Sequence, residues 1–171
     1  MAPQPAKKTL PAIKPKTHPV KAQPAKPKAQ ARLAFWERDE KLAAEQVKLE
    51  KYQEALVSYD RAIAAAQGVF SSPELTPDSG RAMVALYQLY TQKGKACLKL
   101  KKNDEAVSAY EKAAEFTANK SAAYFNICSA LYGMGRMERA KTACGRALAV
   151  DPSGPHAAEA KEMLNKTAEG K

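Results

Sequence analysis

Residues 121–154 read Ser121-Ala-Ala-Tyr124-Phe125-Asn-Ile127-Cys128-Ser-Ala-Leu131-Tyr-Gly-Met-Gly-Arg-Met-Glu-Arg-Ala140-Lys-Thr-Ala-Cys144-Gly-Arg-Ala147-Leu-Ala-Val-Asp-Pro152-Ser-Gly154. The phrase Ala140-x3-Cys144-x2-Ala147 in this stretch has two earlier copies, Ala106-x3-Tyr110-x2-Ala113 and Ala55-x3-Tyr59-x2-Ala62. The last two copies are 34 residues apart. A fixed period of that length marks a supersecondary unit that cannot bury its apolar face alone and so stacks on its neighbours. Such stacks leave an extended concave surface suited to binding. The expected fold class is therefore all-α, an α-solenoid of antiparallel helix pairs.

Working outward, Ala, Leu, Glu, Lys and Gln dominate, with apolar residues at three and four spacing, and no β-branched run alternates with polar residues. The pattern predicts helices over about 33–50, 52–67, 80–101, 103–117, 121–134, 137–150 and 155–168. Asn103-Asp104 and Ser121 are expected to cap helix starts, Gly133-Met134-Gly135 to end the fifth helix, and Pro155 to sit in the first turn of the seventh. Residues 68–80 hold two prolines and two glycines and predict a loop, with Phe70 and Leu75 folded back onto the solenoid.

Upstream the composition changes. Residues 1–34 carry seven prolines, seven lysines, Arg32 and no acid, so this end holds +8 of the formal +10. Residues 1–31 are expected to be a disordered basic tail, because too little apolar surface is available there to offset the entropy of ordering. Extended at ~3.1 Å per residue, residues 3–28 would span on the order of 80 Å. Lys7, Lys8, Lys14, Lys16, Lys21, Lys26, Lys28 and Arg32 form a candidate anion-binding surface whose affinity would fall with salt. No aromatic lies among residues 1–34, which argues against base stacking.

No membrane-length apolar run or signal-like apolar stretch is visible. The chain is expected to be cytoplasmic, or of the cell envelope or periplasm if an anchor or signal precedes this sequence. Cys97, Cys128 and Cys144 form no C-x-x-C pair, which fits a reduced compartment or buried thiols. Cys128 and Cys144 fall on the partnered helices of one unit, which leaves a redox role open. With only His18 and His156 as imidazoles, no metal site is expected and no cofactor is implied.

Helix pairs at this period, with small residues at fixed points, resemble the tetratricopeptide repeat. Three units of thirty-four positions follow, at 36–69, 87–120 and 121–154, within a repeat domain over 32–168 that ends in a capping helix, 155–168. The third unit supplies Tyr124, Ile127, Cys128, Leu131, Ala140, Cys144, Ala147 and Pro152 at the family's characteristic positions. The second supplies Tyr90, Gly94, Cys97, Ala106, Tyr110 and Ala113, and departs at Lys93 and Ala118. The first supplies Leu42, Ala43, Ala55, Tyr59 and Ala62, and departs at Asp39, Gln46 and Gln67. The first two units are offset by 51 residues, an insertion of 17 that is similar to the long connection in the repeat domains of large immunophilins.

The resemblance implies a non-enzymatic protein-interaction module that takes an extended or helical partner segment against the first helix of each unit. It places Glu37, Glu40, Lys41, Ala44, Val47 and Lys48 on that face from unit one. From units two and three the candidate groove residues are Gln88, Gln92, Lys95, Lys99, Phe125, Asn126, Ser129 and Tyr132. Phe125 and Tyr132 are expected to anchor apolar side chains, the amides to bond a peptide backbone, and Lys95 and Lys99 to favour an acidic stretch. Partners would be proteins or peptides, with the tail as an alternative tether to a polyanionic surface; no small-molecule substrate is implied. The chaperone carboxylate clamp of the family is not supported, because Glu40, Ala44, Gln92 and Ala122 stand where it needs other residues. No catalytic residue is expected: His156 lies on the terminal helix, and the acidic pairs read as solvated helix surface.

Overall fold

A computed structural model describes residues 27–71 and 77–168, with side-chain surroundings for 35–71 and 78–167. Every element among these residues is helical: α1 Pro27–Lys48, α2 Tyr52–Phe70, α3 Pro77–Lys99, α4 Asn103–Glu115, α5 Ser121–Gly133, α6 Met137–Val150 and α7 Ala157–Ala168. Each helix packs on the next in the chain, and α7 also touches α5. That is the serial contact of a solenoid. No described helix is long and apolar enough to cross a membrane.

The packing follows from residue size at four recurring positions. Ala43, Gly94 and Cys128 on the first helices, and Ala55, Ala106 and Ala140 with Ala62, Ala113 and Ala147 on the second, are all buried. Their small side chains let the backbones approach, and Tyr59 and Tyr110 fill the space that remains. The fit is tight at Gly94, where a Cβ would lie 2.6 Å from the Tyr110 ring. In the third unit the aromatic is replaced by Cys144, which is disulfide-bonded to Cys128 with Cα atoms 5.2 Å apart. The cysteines are therefore not three buried thiols. Cys97 alone is free, and burial, followed by the charge of Glu105, raises its pKa.

At Asp39, Gln46, Gln67 and Lys93, where units one and two depart from the repeat pattern, polar contacts form instead. Buried Asp39 pairs with Arg61 at 3.6 Å and Arg38 at 3.8 Å. Gln46 Oε1 accepts a hydrogen bond from Ser58 Oγ at 2.8 Å, and Gln67 Nε2 donates to the Tyr90 hydroxyl at 3.0 Å. Lys93 reaches Asp60 at 2.6 Å. The insertion lengthens both α2 and α3. Phe70, in the last turn of α2, meets Phe116 edge-on at 5.6 Å, and Phe116 stacks on Tyr90 at 5.8 Å. Leu75 lies outside the described residues.

The helix ends correct several expectations. α1, α3 and α5 close alike: Lys51, Lys102 and Arg136 donate their backbone N–H to the carbonyls of Gln46, Cys97 and Leu131, at 2.8, 2.9 and 3.0 Å. Each closure passes through a residue of positive φ, Glu50 at 58°, Lys101 at 59° and Gly135 at 71°. Gly133 is thus the last helical residue of α5, and Gly135 makes the turn. Neither Asn103 nor Ser121 caps its helix. Both are first helical residues, and the Asn119 side chain accepts from the Ser121 N–H at 3.0 Å. Ser121 Oγ instead donates to the Ala147 carbonyl at 3.1 Å. α7 starts at Ala157, two residues beyond Pro155. α1 starts at Pro27, inside the segment assigned to the tail, because Pro27 suits a first turn and good helix formers follow it.

Two measurements check this account. Left-handed geometry costs a residue with a Cβ about 1 kcal/mol or more, so Lys101→Gly should raise stability in urea by about 1 kcal/mol and Gly135→Ala should lower it by a similar amount. Burial pushes the Tyr110 hydroxyl up from 10.0 to about 12, with Cys97 a lesser cause. Between those values the folded chain keeps a proton that the unfolded chain releases. Stability should therefore fall as pH rises through that window, read by urea unfolding at stepped pH, and fall less in Tyr110→Phe.

Candidate functional site

The first-helix face is built from α1, α3 and α5. Gln88, Gln92, Lys95 and Lys99 recur at four, three and four residues along α3 and so share one side of it, all exposed. Glu37 and Glu40 of α1 are half-buried, whereas Lys41, Ala44 and Lys48 are exposed. Thr91 Oγ1 is turned back onto its own helix, donating to the Tyr87 carbonyl at 2.8 Å.

The α5 contribution differs from expectation. Phe125 is 7% exposed, packed with Ala147 and Ala160 and stacked face to face on His156 at 4.5 Å. The terminal helix therefore covers the side chain expected to be an anchor. Tyr132 is half-buried against the core, and Asn126 and Ser129 are half-buried. The chain thus brings the four α3 residues into one open stripe, and α5 adds polar edges rather than an aromatic one. Lys7, Lys8, Lys14, Lys16, Lys21 and Lys26 lie outside the described residues. Lys28 and Arg32 lie in α1 with their side-chain surroundings outside the description.

A cleft of about 450 Å³ opens between α1 and the added N-terminal turns of α3. Trp36 and Ala85 form its buried floor, and Val84, Gly80 and Gln88 its exposed edge. Glu37, Glu40 and Arg81 supply its charges, with Arg81 on Glu37 at 2.9 Å and on Asp78 at 3.6 Å. Burial raises the pKa of Glu40, and the neighbouring charge of Glu37 adds to the rise. Of the cleft residues only Glu37, Glu40 and Gln88 were singled out by sequence reasoning. The available signal for the rest was the insertion itself, which places Gly80, Arg81 and Val84 beside α1.

A second cavity, about 530 Å³, lies between α4, α5 and α6, over Tyr124, Ile127 and Leu131, with Arg146 above the Tyr124 ring at 5.9 Å. One unit earlier the matching junction is occupied by the Phe70, Tyr90 and Phe116 cluster and the Lys93–Asp60 pair. Among the described residues no group of three or more His, Cys, Asp or Glu side chains is placed to hold a metal ion.

Comparison with known proteins agrees with this geometry. A family model described as the tetratricopeptide repeat matches residues 87–120 and 121–153. No curated protein sequence matches the chain significantly. Among solved structures, the C-terminal repeat-containing domain of an FK506-binding protein from Plasmodium falciparum is similar at a TM-score of 0.63 and 18% identity, over 84% of this chain and 92% of that one. The second repeat domain of human RPAP3, solved with the HSP70 peptide SGPTIEEVD, gives 0.60 and 21%, over 80% and 98%. The Yersinia enterocolitica secretion chaperone SycD, solved with a peptide of the translocator YopD, gives 0.62 and 14%, over 78% and 92%.

If Phe125 is part of the α5–α7 contact, Phe125→Ala should cost about 3–5 kcal/mol in urea unfolding. An anchor would instead leave stability in place and weaken only binding.

Proposed function

Because residues 87–120 and 121–153 are tetratricopeptide repeats in a chain with that family's solenoid fold, we propose that this protein is a non-enzymatic scaffold that holds a partner's peptide segment on its first-helix face. The observation that carries this reading is the exposed stripe of Gln88, Gln92, Lys95 and Lys99 along α3. Carboxamides and ammonium groups at that spacing match the backbone and acidic side chains of an extended segment. The peptide ligands of RPAP3 and SycD support a peptide as the partner class.

The acidic HSP70 tail held by RPAP3 is disfavoured as a ligand here, because Glu37 and Glu40 would repel it at unit one. With Phe125 covered, apolar anchoring falls to Val84, 52% exposed, and to Leu98. The Cys128–Cys144 bond favours an oxidising compartment over the cytoplasm.

The test uses a photo-crosslinking residue at Gln92, with Glu138 on α6 as the control position. Partner peptides should be captured from Gln92 and not from Glu138. Adding Lys95→Glu should reduce that capture roughly tenfold, as expected for loss of a charge contact and its reversal, while leaving the unfolding midpoint in place. Equal capture from both positions would reject the first-helix face as the site.

A further inference from the structure

We propose that residues 1–26 of this chain dock in cis in the cleft between α1 and the added turns of α3, setting lysines between Lys7 and Lys21 against Glu40 and Glu37. This rests on the reading of the first-helix face as a peptide-binding surface, and it identifies that surface's first ligand as the chain's own N-terminal segment.

Charge complementarity is the first support. Arg81 is shared between Glu37 and Asp78, so it cannot also neutralise Glu40. Glu40 has no ion-pair partner among the described residues, although it is half-buried. A cation placed beside it would offset the desolvation and the Glu37 repulsion that raise its pKa. The segment that enters α1 is suited to supply one: residues 1–26 contain six lysines and six prolines and no Asp or Glu.

Shape is the second support. Proline fixes φ, so a segment rich in proline has less conformational freedom to lose when laid along a cleft. Proline carbonyls would find a donor in the Gln88 amide, and Ile13, Val20 or proline rings would meet Val84 over the Trp36 floor.

Reach is the third. The segment joins α1 at Pro27, nine residues before Trp36, about 14 Å along the helix axis. An extended chain recovers that length in about five residues, so Lys21, Lys16 and Lys14 can return to the cleft while Lys26 cannot. Each exposed ion pair alone is weak. A short tether compensates by holding the lysines at an effective concentration in the millimolar range. A partner segment would then have to displace the tail, and basic partners would compete directly.

Carbodiimide coupling of lysine to carboxylate in the full chain, followed by peptide mapping, tests this. Cross-links from Lys14, Lys16 or Lys21 to Glu40 or Glu37 are expected within single chains, at a yield independent of protein concentration. The yield should fall several-fold between about 0.1 M and about 1 M salt, as the screening length shrinks from ~10 to ~3 Å. Emission from Trp36, the single tryptophan, should shift over the same salt range, and not in Glu40→Gln or in the triple variant Lys14→Glu, Lys16→Glu, Lys21→Glu. Tail cross-links spread equally over Glu111, Glu138 and Glu159, or found only between chains, would overturn the proposal. Peptide capture from Gln92 is measured separately. If capture fails while the cross-links stand, only the partner reading falls; if capture stands without them, only the docked tail does.

Discussion

The structure depends on close approach of paired helices. Small residues recur on both helices of each unit, so the backbones come near enough for one tyrosine to occupy the whole gap. At Gly94 the Tyr110 ring lies where a methyl group would go. Packing at that density does not stretch, and the third unit shows the consequence. Where the tyrosine is absent, two cysteines meet across the same space and are joined. The repeat is thus a volume rule that each unit satisfies with its own residues. The same rule makes the first-helix face possible, because helices held by small residues on one side leave their opposite side free.

Unit one satisfies the rule with more polar chemistry. Asp39, Gln46 and Gln67 stand at positions where the repeat pattern read from the sequence expects packing residues, and each finds a partner: Arg61, Ser58 and Tyr90. Lys93 does the same for unit two through Asp60. Two of these contacts, Gln67 to Tyr90 and Lys93 to Asp60, join α2 to α3 where the insertion separates the units, and the other two join α1 to α2 within unit one. The added chain extends α2 far enough to set Phe70 on Phe116, and extends α3 far enough to stand beside α1. The polar bridges and the aromatic cluster therefore hold a junction whose period is broken, and the cleft at Trp36 is the by-product of that break.

Period and residue size were legible in the sequence because they are local. Among the described residues, α2 to α7 lie within about three residues of their expected spans, and the small residues the repeat names are buried, whereas Leu42 and Pro152 are exposed and Tyr90 and Tyr124 only half-buried. What was not legible depends on neighbours distant in the chain. Phe125 was expected on the open face from the repeat pattern, but whether it is free depends on where α7 lands, and His156 stacks on it. Ser121 looks like a cap in isolation, yet its hydroxyl is drawn to the Ala147 carbonyl and Asn119 takes the N–H. The start of α1 shows a local signal misweighed: Pro27 was counted with the prolines before it, although nothing after it breaks a helix. The Cys128–Cys144 pair needed the interhelical distance, which spacing in the chain does not provide.

The covering of Phe125 also decides how the face can work. With α7 closing the unit-three end, the open stretch runs from α1 across α3, and its character changes along the way. Glu37 and Glu40 make the α1 side acidic near the helix starts, while Lys95 and Lys99 make α3 basic towards its C-terminus, where cations also suit the helix dipole. A segment lying across both would need opposite charges at its two ends. A uniformly acidic ligand meets repulsion at Glu40, and a uniformly basic one meets it at Lys95. On the proposed binding face, selectivity would come from the order of charges along a ligand as much as from the strength of any single contact. The insertion that lengthened α3 thus added a cleft beside α1, and with it a charge polarity along the first-helix face.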